Sequence, residues 1–283
     1  LYIVQFEGEE MTIATAITGT AAGVPFLAVP PTGGHAAAPV VVAWHLMDPP
    51  RTEAAFAAAL PLAGLEAWRI YLGLPLHGAR SPEGGLDELM RLGYEDAVQN
   101  LQGPVSADAV QEFGPAFAEL RARFGFREGP VGLIGGSLGA AVAQQVVAER
   151  LVDVAAAVLV SPITQLHSAV EALGRRFGVE YPWSEPSLRI GRRLDFVARA
   201  DELAACPATL LVVGAEDDEH GFRAPAERLR DALAQRSVTT ELVVVPGMGH
   251  ELAEEPGIEP APQLPAAAEV DRLAVDWFHQ HLR

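Results

Sequence analysis

Val131-Gly132-Leu133-Ile134-Gly135-Gly136-Ser137-Leu138-Gly139-Ala140-Ala141-Val142-Ala143 decides how the rest of the chain is read. Four apolar residues predict a buried strand. G-x-S-x-G predicts a tight turn, and the small residues after it predict a helix. A serine hydroxyl is a poor nucleophile until a base takes its proton and the backbone holds it towards a substrate. A sharp strand-to-helix turn does the holding, and the helix aims its first N–H groups at the place where negative charge would develop. The motif alone is weak, because a glycine-rich turn with a capping serine looks the same. A dinucleotide loop does not fit: the spacing of Gly132, Gly135, Gly136 and Gly139 gives no G-x-G-x-x-G, and no G-K-[ST] follows.

A nucleophilic serine of this kind requires an acid and then a histidine further along the chain. Ala208 to Val213 is a short, β-branched, apolar run that predicts a buried parallel strand, and it ends in Gly214-Ala215-Glu216-Asp217-Asp218. Acids at the carboxyl end of such a strand stand at the face where open α/β sheets keep their sites. Asp217 is the first choice, with Asp218 and Glu216 as alternatives. Thr240 to Val245 predicts the next strand and leads into Pro246-Gly247-Met248-Gly249-His250, so His250 sits on a glycine-loosened loop at a second carboxyl end.

Gly-Gly-Ser-Leu-Gly after one strand, Gly-x-x-Asp after a later one and Gly-x-Gly-His after the last resemble the α/β-hydrolase superfamily. The nearest kind is its small esterases, dienelactone-hydrolase-like and prolyl-oligopeptidase-like. The resemblance covers the chain from about residue 12 onwards. It implies a mostly parallel eight-stranded sheet with helices on both faces and a small helical cap, and a Ser137–Asp217–His250 triad. It also implies an oxyanion hole made by the N–H of Leu138 and by an N–H from His45-Leu46-Met47-Asp48. Many relatives carry His-Gly-x there. Aligning His45 with that histidine makes Met47 the donor and Leu46 the alternative, and Leu46 in place of the usual glycine departs from the pattern. His45 is expected to be a structural loop residue. Leu46, Leu76, His77, Tyr181 and Trp183 are candidates for the substrate pocket.

The 283 residues are enough for one large α/β domain, expected over 11–283. Residues 1–10, ahead of Met11, read as an added or disordered leader; they are acidic and lack the basic start of a secretory signal. Alternating residues from Thr12 to Thr20 predict an edge strand paired with Val24 to Val29. Further strands are expected at Val40–Trp44, Ala67–Leu72 and Val154–Val160, with helices at Arg51–Leu60, Ala107–Phe124 and Ala266–His281. Residues 163–206 separate two core strands by more than a crossover needs. About 163–193 is expected to form the cap, and Leu194 to Ala205 the ordinary crossover helix.

Lys and Arg number 20 against 37 Asp and Glu, a formal net charge of −17, which disfavours binding to nucleic acid or an anionic membrane. A single cysteine, Cys206, permits no internal disulfide; it fits a core thiol and a reducing, cytoplasmic setting. No metal-ligand spacing is present and no cofactor is expected. The expected activity is hydrolysis of a small-molecule carboxylic ester through an acyl-enzyme. A thioesterase, a small peptidase or amidase, and a non-enzymatic hydrolase-fold scaffold are the alternatives, and homo-oligomerisation is left open.

Overall fold

Among the described residues, eight strands are laid down in one sheet, because the apolar runs are too short and too β-branched for helices and are separated by helical segments. In the computed structural model, which describes residues 16–33 and 38–282, they are β1 (Ile17–Ala21), β2 (Val24–Val29), β3 (Val40–Trp44), β4 (Trp68–Leu72), β5 (Val131–Gly136), β6 (Val154–Val160), β7 (Ala208–Gly214) and β8 (Thr239–Val245). Their order is β1-β2-β4-β3-β5-β6-β7-β8. β1 with β2 and β2 with β4 are antiparallel, and every later pairing is parallel. β5 therefore stands in the middle of the parallel part, between β3 and β6.

Period-two alternation sorts the strand side chains into two cores. Val40, Val42 and Trp44 of β3 pack into one layer with Phe113 and Leu120 of α3 (Gly103–Phe124) and Val142 and Val146 of α4 (Leu138–Ala148). Val41 and Ala43 face the other, with Phe56 of α1 (Glu53–Ala59) and Trp277 and Phe278 of α9 (Pro265–His281). Both faces of the strand are covered, which is why its sequence is a continuous apolar run.

The expected strands and long helices are present, with bounds shifted by a few residues. The described part of the predicted first strand is β1; residues 12–15, and the leader over 1–10, lie outside the described residues. Between β6 and β7 come α5 (Leu166–Phe177) and α6 (Glu185–Arg193). Ser184 opens α6 with a reciprocal capping arrangement with Ser187. The Leu194–Ala205 crossover helix does not form as one element. Leu194 and Phe196 are buried, Gln165 and Asp195 form an isolated antiparallel bridge, and Asp195 Oδ1 accepts from Ala198 N at 3.0 Å. Only Ala200–Leu203, α7, is helical. A carboxylate that holds its own downstream N–H competes with the helical ladder, and packing of Leu194 and Phe196 decides the contest. Cys206 is a buried thiol on the core side, pushed up to about 11 by burial and so unreactive. Among the described residues, no helix is long and apolar enough to cross a membrane.

Candidate active site

Three carboxyl-end loops of the parallel strands converge on one point: those after β5, β7 and β8. Ser137 occupies the turn between β5 and α4 at φ 48 and ψ −113, outside the regions an L-residue favours. The surroundings over-determine that conformation. Ser137 N donates to Val160 O of β6 at 2.9 Å, and Ser137 O accepts from Ala140 N at 3.1 Å as α4 begins. A Cβ at Gly139 would stand 2.3 Å from Trp44 O and 2.4 Å from His45 O. The last glycine of the motif is thus what lets α4 start directly against the end of β3.

The loop after β7 brings in Asp217. A Cβ on Gly214 would stand 2.2 Å from Met248 O, so this glycine lets the acid loop and the histidine loop touch. Glu216 N donates to Met248 O at 3.0 Å and fixes the same contact. Asp217 Oδ2 lies 3.0 Å from His250 Nδ1, and His250 Nε2 lies 2.9 Å from Ser137 Oγ. Asp217 Oδ1 accepts from Asp218 N at 2.8 Å, and its side chain is only 3 % exposed. The neighbouring acids are elsewhere. Glu216 is exposed. Asp218 accepts from His220 N, Gly221 N and Arg175, capping the π-helical turn before α8 (Ala224–Ala234); desolvation alone would raise its carboxyl, but these bonds together with the Arg175 charge hold it below the usual range.

Burial by itself would lower the pKa of His250. The hydrogen bond and charge of Asp217, with the charges of Asp48 and Glu251, outweigh it and raise the ring above its ordinary value. A hydroxyl, an imidazole and a buried carboxylate in line, with the ring poised to hold a proton, can pass a proton from the hydroxyl to the ring and back.

The loop after β3 closes the site from the other side. His45 is buried; its Nδ1 donates to Leu46 O at 2.6 Å and its Nε2 accepts from Leu74 N at 3.0 Å. Burial and the neighbouring His77 push it down to about 3, so it is a neutral brace for the loop. The Leu46 side chain is buried beside Gly136, where a Cβ would stand 2.3 Å from Leu46 Cδ1. Met47 is half-buried against the core, and its carbonyl accepts from Arg51 Nε at 3.0 Å. Leu138 is the first residue of α4.

The pocket candidates are dispersed. His77 is buried behind the β3 loop, its ring 5.4 Å from that of His45 and its Nδ1 donating to Pro75 O at 2.8 Å. Leu76 packs partly buried against the core at φ 64. Tyr181 donates to Asp96 Oδ1 at 2.5 Å, at the end of α2 (Gly85–Asp96), and Trp183 packs between Tyr181 and His167. Tyr181 thus ties the β6–β7 insertion to α2, while Trp183 packs against rings within the insertion. The ring that stands against His250 is Phe222, with centroids 4.3 Å apart. Neither Phe222 nor Asp48, whose Oδ2 is 3.7 Å from His250 Nε2, was singled out from sequence. A lone Phe in Gly221-Phe222-Arg223 and a lone Asp before Pro49-Pro50 carry no motif. Among the described residues, no three His, Cys, Asp or Glu side chains are grouped to hold a metal ion.

A family model for the alpha/beta hydrolase fold matches residues 93–254, more than half of the chain and a span that includes Ser137, Asp217 and His250. The chain belongs to this alpha/beta hydrolase family. No curated protein matches it in sequence. Among solved structures, it is similar to carboxyl esterase 2 of the mycorrhizal fungus Tuber melanosporum: 18% identity, 98% of this chain and 90% of that one covered, TM-score 0.60. It is also similar to the dienelactone hydrolase of Anabaena variabilis, at 20% identity, 95% and 98% coverage and TM-score 0.55. A puromycin-hydrolyzing peptidase of Mycobacterium tuberculosis matches at 19% identity and TM-score 0.64, with 99% of this chain covering 42% of that longer one. At these identities the likeness is one of fold.

Proposed function

We propose that the protein is a serine hydrolase that cleaves a carboxylic ester through an acyl-enzyme. His250 takes the proton of Ser137 as its oxygen attacks the ester carbonyl. Asp217 holds the ring with Nε2 towards the serine and stabilises the imidazolium that forms. The N–H groups of Leu138 and Met47, or Leu46 in place of Met47, receive the oxyanion. The protonated ring then gives its proton to the departing alcohol, and water repeats the sequence on the acyl-enzyme. The reading rests on one observation: Asp217 Oδ2, His250 and Ser137 Oγ are joined by contacts of 3.0 and 2.9 Å.

An ester is favoured over the alternatives by charge and by size. A chain with net charge −17 is a poor docking partner for phosphate-rich thioester carriers. The peptidase neighbour is a longer protein, of which this chain covers 42%. The proposed setting is cytoplasmic, in keeping with the single cysteine.

A fluorophosphonate probe and a panel of p-nitrophenyl esters, acyl-CoA and peptide anilides test the proposal. Ser137→Ala is expected to lose the label and at least about a thousandfold in ester turnover. Absence of labelling in the wild type would support a scaffold instead. Turnover of anilide alone would make the protein a peptidase.

A further inference from the structure

Beside His250 Nε2 stands a carboxylate that the acyl-transfer reading does not use. Asp48 Oδ2 lies 3.7 Å from it, at the end of the ring opposite Asp217, and the Asp48 side chain is 43 % exposed. Among the described residues, His250 is its one ion-pair partner and its carboxylate accepts no hydrogen bond. Glu251 adds a further negative charge to the same ring.

The loop fixes the position of Asp48. The residue before it is held through Met47 O by Arg51 Nε at 3.0 Å, and the residue after it through Pro49 O by Leu252 N at 3.0 Å. Arg51 in turn donates to Glu255 Oε2 at 2.6 Å and to Pro256 O at 2.5 Å, and its own N–H reaches Gly257 O at 2.6 Å. The β3 loop and the loop after His250 are therefore tied together on both sides of Asp48. The cation nearest in sequence is committed to Glu255, so Arg51 does not neutralise Asp48.

Asp48 favours the imidazolium on His250, but at the substrate end a carboxylate beside an acylating serine opposes the reaction of a neutral ester. Acyl transfer builds negative charge on the substrate oxygen, and a fixed negative charge close by opposes it. A positive group on the substrate removes the opposition by pairing with the carboxylate, and that pairing counts most as charge develops. Nε2 hands its proton to the departing atom, so a group beside Nε2 is beside the leaving group.

Building on the acyl-transfer reading, we propose that Asp48 selects substrates whose leaving group carries a positive charge near the scissile bond, of the amino-alcohol or quaternary-ammonium-alcohol class. The net charge of −17 acts in the same direction at long range, by drawing cations to the surface.

Two acetate esters of matched shape test this: that of choline, and that of 3,3-dimethylbutanol, in which carbon replaces the quaternary nitrogen. The wild type is expected to favour the choline ester in kcat/KM by about fivefold at low salt. Asp48→Asn is expected to bring the ratio close to one, with the neutral ester turned over faster than by the wild type. A ratio near one in the wild type, or one that Asp48→Asn leaves unchanged, overturns the proposal. So does an equal loss on both esters, which would make Asp48 a positioning residue acting through His250. If Asp48→Asn does not fold, Asp48→Ser is read in the same way. Fluorophosphonate labelling is scored apart: an unlabelled wild type defeats the acyl-transfer reading, whereas a labelled protein without charge preference defeats only the role of Asp48.

Discussion

His45 and His250 sit on neighbouring carboxyl-end loops, both largely buried, and their rings are driven in opposite directions. His45 is bonded to a backbone carbonyl and a backbone N–H, with His77 beside it, and burial leaves it neutral down to about pH 3. Desolvation works against a charge on His250 too, yet a carboxylate at 3.0 Å and two more acids nearby raise it. Burial thus sets the cost of an imidazolium, and the partner decides whether the ring bears it. One histidine braces a loop, and the other is the base of the proposed mechanism.

Removing the partner breaks the difference with the largest expected effect. In Asp217→Asn, kcat/KM on an ester is expected to fall about ten-thousandfold, since the ring loses both its tautomer and its stabilised imidazolium. In the proposed mechanism the working form of His250 is neutral, so activity is expected to fall as pH drops through its pKa, and the raised value places that acid limb above the ordinary histidine range. Without Asp217, the limb moves to lower pH. A pH–rate profile of both proteins measures the two effects together. A loss under tenfold, with the limb unmoved, would mean that the carboxylate is not what separates His250 from His45.

That Ser137, Asp217 and His250 meet was legible in the sequence, whereas the bracing role of His45 and the approach of Asp48 to His250 were less so. Ser137, Asp217 and His250 each follow an apolar run that a parallel sheet must bury, and sheet topology then carries the three to one edge. The same logic placed the helices of both faces, because α1, α3, α4 and α9 have helical lengths of apolar and small residues. Asp48 reaches His250 for another reason: Arg51 bonds to Glu255, 204 residues away, and pins the loop between them. No local pattern records such a bond. Phe222 is placed by the turn that Asp218 caps, and Asp218 is held by that turn and by Arg175 of the insertion while Asp217 meets His250. The expected Leu194–Ala205 helix fails on similar grounds, where burial of Leu194 and Phe196 overrides propensity.

The brace makes its own test on stability. In the folded protein His45 stays neutral down to about 3, whereas in the unfolded chain it takes a proton near its ordinary 6.5. The depressed value means that its contribution is present above pH 6.5 and is lost as pH falls towards 3. The slope is that of one proton, about 1.4 kcal/mol per pH unit. His45→Gln keeps an acceptor for Leu74 N and a donor for Leu46 O but cannot be protonated. Its unfolding free energy, measured in urea between pH 7 and 4, is expected to be flatter than that of the wild type by that slope. Parallel curves would show that His45 is solvated as it titrates, and the contrast with His250 would then rest on catalysis alone.

Asp271 extends the comparison to a carboxylate, with the sign reversed. It lies on α9 with 9 % exposure, and its Oδ1 accepts from Leu62 N at 2.7 Å. Burial raises it to about 6, because that backbone bond and the charge of Arg69 offset only part of the desolvation. The unfolded chain gives up this proton near the ordinary value of 3.8. The folded state therefore gains relative stability below pH 3.8 and loses it as pH rises through about 6, the opposite direction to His45. The loss amounts to about 3 kcal/mol by neutral pH. Asp271→Asn keeps the oxygen that Leu62 N needs and removes the titration. The variant's stability relative to the wild type is expected to improve by about 2–3 kcal/mol between pH 4 and pH 7, whatever the offset at pH 4. A difference that stays constant with pH would show that Asp271 is ionised without penalty in its layer, and that backbone N–H bonds can hold a buried charge as well as a partner of opposite sign does at His250.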